Sequence, residues 1–432
     1  MSRPKLHRFF VPLLIVLFSL STGVFAQDDT TPITALANQV HEDAVTAGGS
    51  AGVQDISADL QAASGVSVNW ETVPWPEMQE RVLRELSLSN SGVSLMYIIS
   101  EWMSPQVKSQ LMPLNDFMDA EPIENFEGIP AGMLGYTSDD EGNIYGIPVR
   151  AYGPVLFYNT EILAQHGYDS APQTFEELFA MVQAVAGRRD DGARVYGIRF
   201  EPGTVIDWAR AYGGDSITPD FEIAFTEEPM IRALNEGRAL YEMGAIPQDF
   251  MNMVADDWLT LEQNGQVAFS MRGPTYFNTL NNPETSSVAG KIGVATVPAS
   301  ETIDEALVPG NVSFWSMTIP ANSANPEAAW EVIRYLSSDE AALAMAVNGN
   351  APTKLAVYDD PAFAEAAGPW LEPARASLQV ARPDWPAFDE QARAQDILYE
   401  QVVLAITGQK TPEEAMAAAA EQIQPLLPQA TE

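Results

Sequence analysis

The chain of 432 residues suits two domains of ordinary size, and 46% of its residues are hydrophobic, which is typical of a folded protein rather than a disordered one. Its formal net charge of −37 opposes binding to nucleic acid phosphates and to anionic lipid. Because the sequence contains no cysteine, it excludes disulfides, thiolate catalysis and cysteine-ligated metals.

The N-terminus has the pattern of a secretory signal peptide over residues 1–26. A basic stretch, residues 3–8, precedes the apolar residues 9–20, and Val-Phe-Ala at residues 24–26 is a relaxed A-x-A-like cleavage site. An uncleaved membrane anchor is the alternative, but the apolar run is shorter than the ~20 residues that span a bilayer. Because no cysteine follows that could carry a lipid, we expect an exported, untethered protein in a periplasm.

The next part of the chain alternates predicted strands and helices. Polar and apolar residues alternate over residues 66–73, as in a half-buried strand, and residues 95–99 form a short buried strand. Helical spacing predicts helices at residues 51–63 and after Pro74, and residues 33–37 are the first strand. This β-α-β-α-β order predicts a mainly parallel sheet with helices on both faces.

Polar and aromatic side chains follow each of these strands. A sugar presents apolar C–H faces to aromatic rings, while its hydroxyls need fixed donors and acceptors, so a sugar site requires both kinds of residue. The candidates in this part of the chain are Asn38, Gln39, His41, Trp75, Glu101 and Trp102. Residues 42–50, which are acidic and then Gly-rich, are predicted to form a loop.

A strand that leaves one sheet for a new α/β unit is predicted around residues 145–159. An apolar β-type run occupies residues 155–158, and a capping box, Thr174 with Glu177, begins a helix farther on. A crossing of this kind joins two lobes, and ligands tend to bind where lobes meet. Arg150 and Tyr152 are therefore expected to face the gap between the lobes.

Further strands are predicted at residues 195–200, 265–271 and 313–319, and further crossings at residues 292–297 and 348–352. The last helix is predicted at residues 415–427, after a second cap at Thr411 to Glu414. The candidates at strand ends and loops in this half are Glu201, Asp207, Trp208, Arg272, Tyr276 and Trp385. Core packing is the alternative for each tryptophan, and a surface ion pair is the alternative for each arginine.

Two other motifs are better explained without catalysis or metal binding. Gly48-x-Ser50-x-Gly52 matches the G-x-S-x-G pattern of serine hydrolases, but it follows acidic residues instead of the apolar strand that such an elbow requires. Removal of the predicted signal peptide leaves only His41 and His166 for a triad. Residues 138–143 resemble a calcium loop but lack its alternating ligands, so an exposed hairpin turn is predicted.

Several segments, in order, resemble the family 1 extracellular solute-binding proteins, the maltodextrin-binding-protein-like sugar receptors of bacterial ABC importers. They are YGIPV, LFYNTEIL, GYDSAPQTFEELFAMVQAV, GQVAFSMRGP, GKIGVATVP, WSMTIPANSANPEAAWEVIRYLSSDEA, NGNAPTKLAVYDDP and LAITGQKTPEEA. The resemblance spans roughly residues 57–427 and implies two α/β lobes of the type II periplasmic binding fold, joined by two or three hinge crossings. The expected lobes are residues 27–149 with 298–350, and residues 150–297 with 351–432.

The resemblance also implies a function and further site residues. It implies a monomeric receptor that closes on a sugar or sugar derivative and delivers it to a permease powered by a separate ATPase, with no cofactor, metal, nucleic acid or catalysis. Asn311 and Trp315 lie where the family brings a Gly-rich loop to the cleft, and Thr275 stands where the family has a stacking aromatic, with Tyr276 next. The alternatives are a secreted glycoside hydrolase, a structural envelope protein, or a receptor for a polyol or a small organic anion.

Overall fold

The structure is a computed structural model that describes residues 30–48, 54–188, 192–304 and 307–428. The predicted signal peptide and Ser50 of the G-x-S-x-G pattern lie outside the described residues, and so does the side chain of Tyr152. Within the described residues the strands are β1 Thr31–Ala37, β2 Val66–Thr72, β3 Leu95–Ile99, β4 Ile147–Tyr152, β5 Val155–Asn159, β6 Gly187–Arg188, β7 Arg194–Ile198, β8 Val267–Arg272, β9 Ile292–Ala295 and β10 Ser313–Thr318.

The helices of the described residues surround these strands. They are α1 Gln39–Thr46, α2 Ser57–Ser64, α3 Trp75–Ser87, α4 Pro105–Lys108, α5 Asn115–Ala120, α6 Ala131–Thr137, α7 Thr160–Gln165, α8 Phe175–Val185, α9 Thr204–Ala211, α10 Glu228–Glu242, α11 Ala255–Gln263, α12 Tyr276–Leu280, α13 Pro326–Leu336, α14 Asp339–Val347, α15 Pro361–Ala367, α16 Leu371–Val380, α17 Gln391–Ile406 and α18 Pro412–Ile423. None of the described helices combines the length and the apolar character that a membrane span requires.

The strands form two mixed sheets, each the centre of one lobe. Lobe 1 has the order β2-β1-β3-β10-β4, and lobe 2 has the order β6-β7-β8-β5-β9. In lobe 1, β1 pairs in parallel with β2 and β3, but β10 is antiparallel to both β3 and β4. In lobe 2, the described pairings are antiparallel except that between β7 and β8. The two-lobed α/β prediction is confirmed, whereas the prediction of mainly parallel sheets is wrong, because crossing strands enter each sheet against the local direction.

Local sequence signals account for several helix starts. The Thr174 hydroxyl accepts from the N–H of Glu177 at the start of α8, and Thr411 with Glu414 forms the reciprocal capping box of α18. Residues 138–143 form the predicted hairpin turn, in which the Asp139 carboxylate accepts hydrogen bonds from nearby N–H groups. A hydrogen bond from the Asn143 side-chain amide, together with these N–H groups, lowers the pKa of Asp139 to about 2. The capping and turn predictions are confirmed.

One helix is missing from the sequence-based prediction. The stretch predicted as a loop from residue 42 begins as α1, whose first residues follow the cap at Asn38. Three residues at helical spacing, His41, Ala44 and Val45, are buried against lobe 1 and hold this short helix in place. The acidic residues of this stretch favoured a loop in the sequence-based prediction, so the buried face of the helix was missed.

Two of the passages between the lobes are closely packed segments, and a third passage leads from α14 of lobe 1 through α15 and α16 to α17 of lobe 2. Between β4 and β5 the chain runs through Gly153 and Pro154, and it returns to lobe 1 over residues 296–312, because β9 still pairs with β5 in lobe 2. At Gly310 a Cβ atom would lie 2.5 Å from Pro154 Cγ. Only glycine allows these two crossing segments to approach so closely.

Each lobe has its own core, and a third cluster covers the crossing. The third core joins β4, β5 and β10 to the helices α15 and α16, through residues such as Phe157, Phe314 and Trp370. Two contacts also link lobe 1 with the start of α17. The N–H of Gln106 donates to Asp389 at 2.8 Å, and Tyr136 Oη donates to Gln391 Oε1 at 3.1 Å.

Candidate functional site

Most strands of lobe 1 end at the edge of the sheet that adjoins the crossing. The carboxyl ends of β1, β2, β3 and β4 meet there with the first residues of the antiparallel β10. The carboxyl ends of β7 and β8 lie at the corresponding edge of lobe 2, beside the first residues of β5. In open α/β sheets ligands bind outside the carboxyl ends of strands, so the two edges are the two halves of one candidate site.

The lobe 1 half is an aromatic cluster, which we define as His41, Trp75, Tyr97, Trp102 and Trp315. Trp75 and Trp102 stack with ring centroids 5.3 Å apart, and Trp315 meets both edge-on at 5.7 and 5.8 Å. Trp315 is buried, whereas Trp75 is 52% exposed. One large aromatic ring is thus held rigidly by its neighbours and remains open to a ligand.

His41 is a buried member of this aromatic cluster. Its ring stacks on Tyr97 at 4.3 Å and meets Trp315 edge-on at 4.7 Å, and neither ring nitrogen has a hydrogen-bond partner among the described residues. Burial, together with the nearby charge of Arg150, lowers the pKa of His41 well below its usual value. The imidazole is therefore neutral and acts here as a packed aromatic ring.

Two charged groups lie beside the aromatic cluster. Glu101 is exposed and accepts hydrogen bonds from the hydroxyls of Ser100, at 2.8 Å, and Ser313. Arg150 pairs across the sheet with Trp315, is 6% exposed and donates to Asn350 Oδ1 at 3.1 Å. The backbone of Tyr152 pairs with Ser313 at the same edge.

Lobe 2 contributes a cavity of about 430 Å³. It gathers four predicted residues, Glu201, Asp207, Arg272 and Asn311, with the crossing residue Pro154. Its other lining residues are Arg199, Pro202, Gly203, Thr204, Phe250, Met251, Met253, Met271, Gly273, Asp384 and Tyr399. Charged and polar side chains share the wall with three methionines.

Hydrogen bonds and ion pairs fix the charged side chains of this cavity. The N–H of Asn311 donates to Asp207 Oδ1 at 2.8 Å, and Arg199 pairs with Glu201. Arg272 pairs with the buried Glu262 and lies 3.7 Å from the ring centre of Tyr276. Burial raises the pKa of Asp207, against the opposing charge of the nearby Arg210.

Two of the predicted tryptophans lie in the core instead. Trp208 is 1% exposed and packs among Phe175, Phe179 and Phe200, and Trp385 is 2% exposed in the same lobe 2 core. The expectation that the Trp208 ring is exposed is wrong, because α9 turns this side of the helix toward the core and leaves its neighbour Asp207 at the cavity. Core packing, the alternative for these two residues, is what the structure shows.

The remaining predicted residues have local roles. Asn38 caps α1 and donates to the carbonyl of Val73 at 3.1 Å, and the exposed Gln39 donates to Glu42 and Asp43. These contacts stabilise the start of α1.

The sequence-based prediction missed Asp384, Tyr399 and Arg199 as cavity residues. Asp384 and Tyr399 come from the C-terminal part of the chain, and no strand or motif precedes them. Arg199 directly follows β7, so the rule that selected Arg272 could have found it. Among the described residues no group of three or more His, Asp or Glu is arranged to hold a metal ion.

Comparisons with known proteins agree with this architecture. The family model for bacterial extracellular solute-binding proteins matches residues 55–369. A probable ABC transporter-binding protein of Deinococcus radiodurans is 29% identical over 229 residues, which is 51% of this chain and about half (53%) of that relative. A probable amino-acid ABC transporter periplasmic-binding protein of Sinorhizobium fredii is 23% identical over 91% of both chains. The maltose-bound MalE3 of T. maritima superposes with a TM-score of 0.75 at 22% identity, over 92% of this chain and 100% of that one.

Proposed function

This chain belongs to the family of bacterial extracellular solute-binding proteins, and from that premise we propose that it captures a sugar or sugar derivative for an ABC importer. The solute would bind between the lobes, and the closed protein would deliver it to permease subunits that a separate ATPase drives. The protein would work as a monomer and would make or break no bond of the solute.

The observation that carries this proposal is the pairing of unlike half-sites at one cleft. The open ring of Trp75 offers an apolar face, and the lobe 2 cavity offers carboxylates, guanidinium groups and the Asn311 amide. A pyranose or a polyol needs both, because its C–H groups are apolar and its hydroxyls require partners.

The mechanism that we propose is a shift between open and closed populations. A solute that contacts both lobes favours the closed form by the difference between its affinities for the two forms. The bending would occur at the crossing segments near Pro154 and Gly310, so the first lobe boundary would follow β4 at residue 153 instead of residue 150, and the second would fall within residues 296–312. The predicted signal peptide over residues 1–26 supports a periplasmic location.

Thermal unfolding against a panel of neutral sugars, polyols and amino acids tests the proposal. A hundredfold excess of solute over its Kd should add about 2.7 kcal/mol to the free energy of unfolding. Amino acids belong in the panel because of the name of the Sinorhizobium relative. Stabilisation by a sugar or polyol is expected, while stabilisation by amino acids alone, or turnover of a glycoside, would contradict the proposal.

A further inference from the structure

We infer that the solute carries no negative charge and binds as a hydrogen-bond donor to Glu101 of lobe 1 and Asp384 of lobe 2. This inference rests on the proposed function and narrows its solute class to neutral or cationic polyhydroxyl compounds. It follows from how the charged groups at the cleft are already paired.

The arginines of lobe 2 near the cavity are matched by carboxylates of the protein. Arg199 pairs with Glu201, and Arg272 pairs with Glu262. The Arg272 side chain is 3% exposed, and its flat face is covered by Tyr276 at 3.7 Å. The charge of each guanidinium group is thus matched by a carboxylate, and Arg199 keeps one buried donor, Nε, without a hydrogen-bond partner among the described residues.

Arg210 is buried outside the cavity lining, and each of its three side-chain nitrogens already donates a hydrogen bond. Nε donates to Asp215 Oδ1 at 3.0 Å, and Nη2 donates to the carbonyl of Pro383 at 2.8 Å. Nη1 donates to the carbonyls of Pro309 at 3.0 Å and Arg382 at 3.2 Å, which accounts for both of its hydrogens.

Asp384 is left with an acceptor that no donor satisfies. Its Oδ1 lies 3.2 Å from Arg210 Nη1, an ionic contact, but receives no hydrogen bond from the described residues. Asp384 is 7% exposed and lines the cavity. A buried acceptor without a donor is costly, so a solute hydroxyl that donates to it gains affinity, whereas an anionic oxygen has no proton to donate to it.

Glu101 reinforces this preference from the opposite lobe. Two serine hydroxyls orient its carboxylate, and no cation pairs with it among the described residues. Its charge reaches lobe 2, where it contributes to the raised pKa of Tyr399 and of Asp384, although burial is the main cause for both. The cleft is therefore flanked by two carboxylates that face a solute from different lobes.

Arg150 donates to the side-chain oxygen of Asn350 at 3.1 Å. It is 6% exposed behind the aromatic cluster. An anionic solute would depend on cleft arginines such as Arg150, so Arg150→Gln belongs in the test.

Calorimetric titration with matched solutes tests the inference. The probes are maltose, glucose and ribitol, the anions glucuronate and glucose 6-phosphate, and the cation glucosamine. We expect any anion to bind about 100-fold or more weakly than its neutral counterpart, because like charges at a desolvated site repel strongly. Native mass spectrometry of freshly purified protein should show a neutral or cationic retained solute.

Variants assign the effect to the named residues. Glu101→Gln should raise the Kd of the neutral solute about tenfold. It should also reduce the ratio of the anion's Kd to the neutral solute's Kd, because an amide is a weaker acceptor than a carboxylate and repels an anion less. Glu127→Gln, the same change at an exposed lobe 1 residue outside the cavity lining, should alter neither value. An anion that binds at least as tightly as the neutral probe, and loses affinity in Arg150→Gln, would overturn the inference but leave the receptor function intact. Failure of every solute class to bind would overturn the proposed function and this inference together.

Discussion

The two halves of the cleft achieve rigidity by different physical means. The lobe 1 half is an aromatic cluster in which rings support one another at 4.3–5.8 Å, and its histidine is neutral. The lobe 2 half is a charged wall, in which side chains such as Arg210 and Arg272 are held by buried ion pairs. Ring packing supplies apolar area with little directional demand, while the ion pairs orient donors and acceptors. We expect lobe 1 to contribute affinity and lobe 2 to contribute specificity.

Tryptophans in the two lobes show the same difference. Trp75 leaves about half of its surface open, whereas Trp208 is enclosed by phenylalanines. Each lobe therefore contains large aromatic side chains, but only in lobe 1 does one of those described reach the cleft as a broad exposed ring. Four variants, taken from the largest expected effect to the smallest, test this contrast.

Arg210→Met should have the largest effect, on stability. It removes the buried cation that Asp215 and Asp384 share and leaves Asp215 with Arg382 alone, and we expect a loss of about 3–5 kcal/mol in the free energy of unfolding. Arg238→Met, which breaks an exposed pair with Glu242 on α10, should cost less than about 1 kcal/mol. Denaturant unfolding measures both, and equal costs would mean that the ion pairs do not hold the lobe 2 wall together.

Trp75→Ala should mainly affect binding. Loss of the exposed stacking ring is expected to raise the Kd of the solute about tenfold, with a smaller effect on stability because the ring is half open. Met243→Ala, at an exposed apolar residue at the end of α10, is the control and should leave the Kd unchanged. An unchanged Kd in Trp75→Ala would remove the aromatic cluster from the site.

His41→Phe should alter the pH dependence of stability. The folded state holds the pKa of His41 below its usual value of 6.5, so below that pH the unfolded chain binds a proton that the folded chain does not. The free energy of unfolding of the wild type should therefore fall by up to about 1.4 kcal/mol per pH unit on acidification. The variant should lack this slope, because phenylalanine keeps an aromatic ring but does not titrate.

Asp384 should show the opposite sign in lobe 2. Burial raises its pKa, so the folded chain binds a proton first as the pH falls, and this group contributes increasing stability on acidification. Unfolding curves of Asp384→Asn between pH 7 and pH 5 should therefore lack this gain. Parallel curves for the wild type and both variants would show that neither group titrates differently in the folded and unfolded states.

Sequence reasoning was most successful where the signal is local. The capping boxes at Thr174 and Thr411 and the turn at Asp139 depend on residues within four positions of one another, so their residue types suffice to predict them. The strand ends of lobe 1 followed from apolar runs that stop at Glu101 and Trp102. Helix α1 was missed, because eight mostly polar residues carry too weak a period to outweigh their acidic composition.

The sequence by itself determined the two-lobed α/β architecture, a crossing shortly after Arg150, and several of the side chains that follow the strands. Only the tertiary structure decided which of these side chains reach the cleft. Asp207 and Trp208 are neighbours in sequence, yet one lines the cavity and the other fills the core, since helix orientation is set by packing against distant elements. Asp384 and Tyr399 join the site from the C-terminal part of the chain for the same reason. Contacts between residues far apart in sequence leave no local pattern, so the arrangement of the charged wall appears only once both lobes are folded.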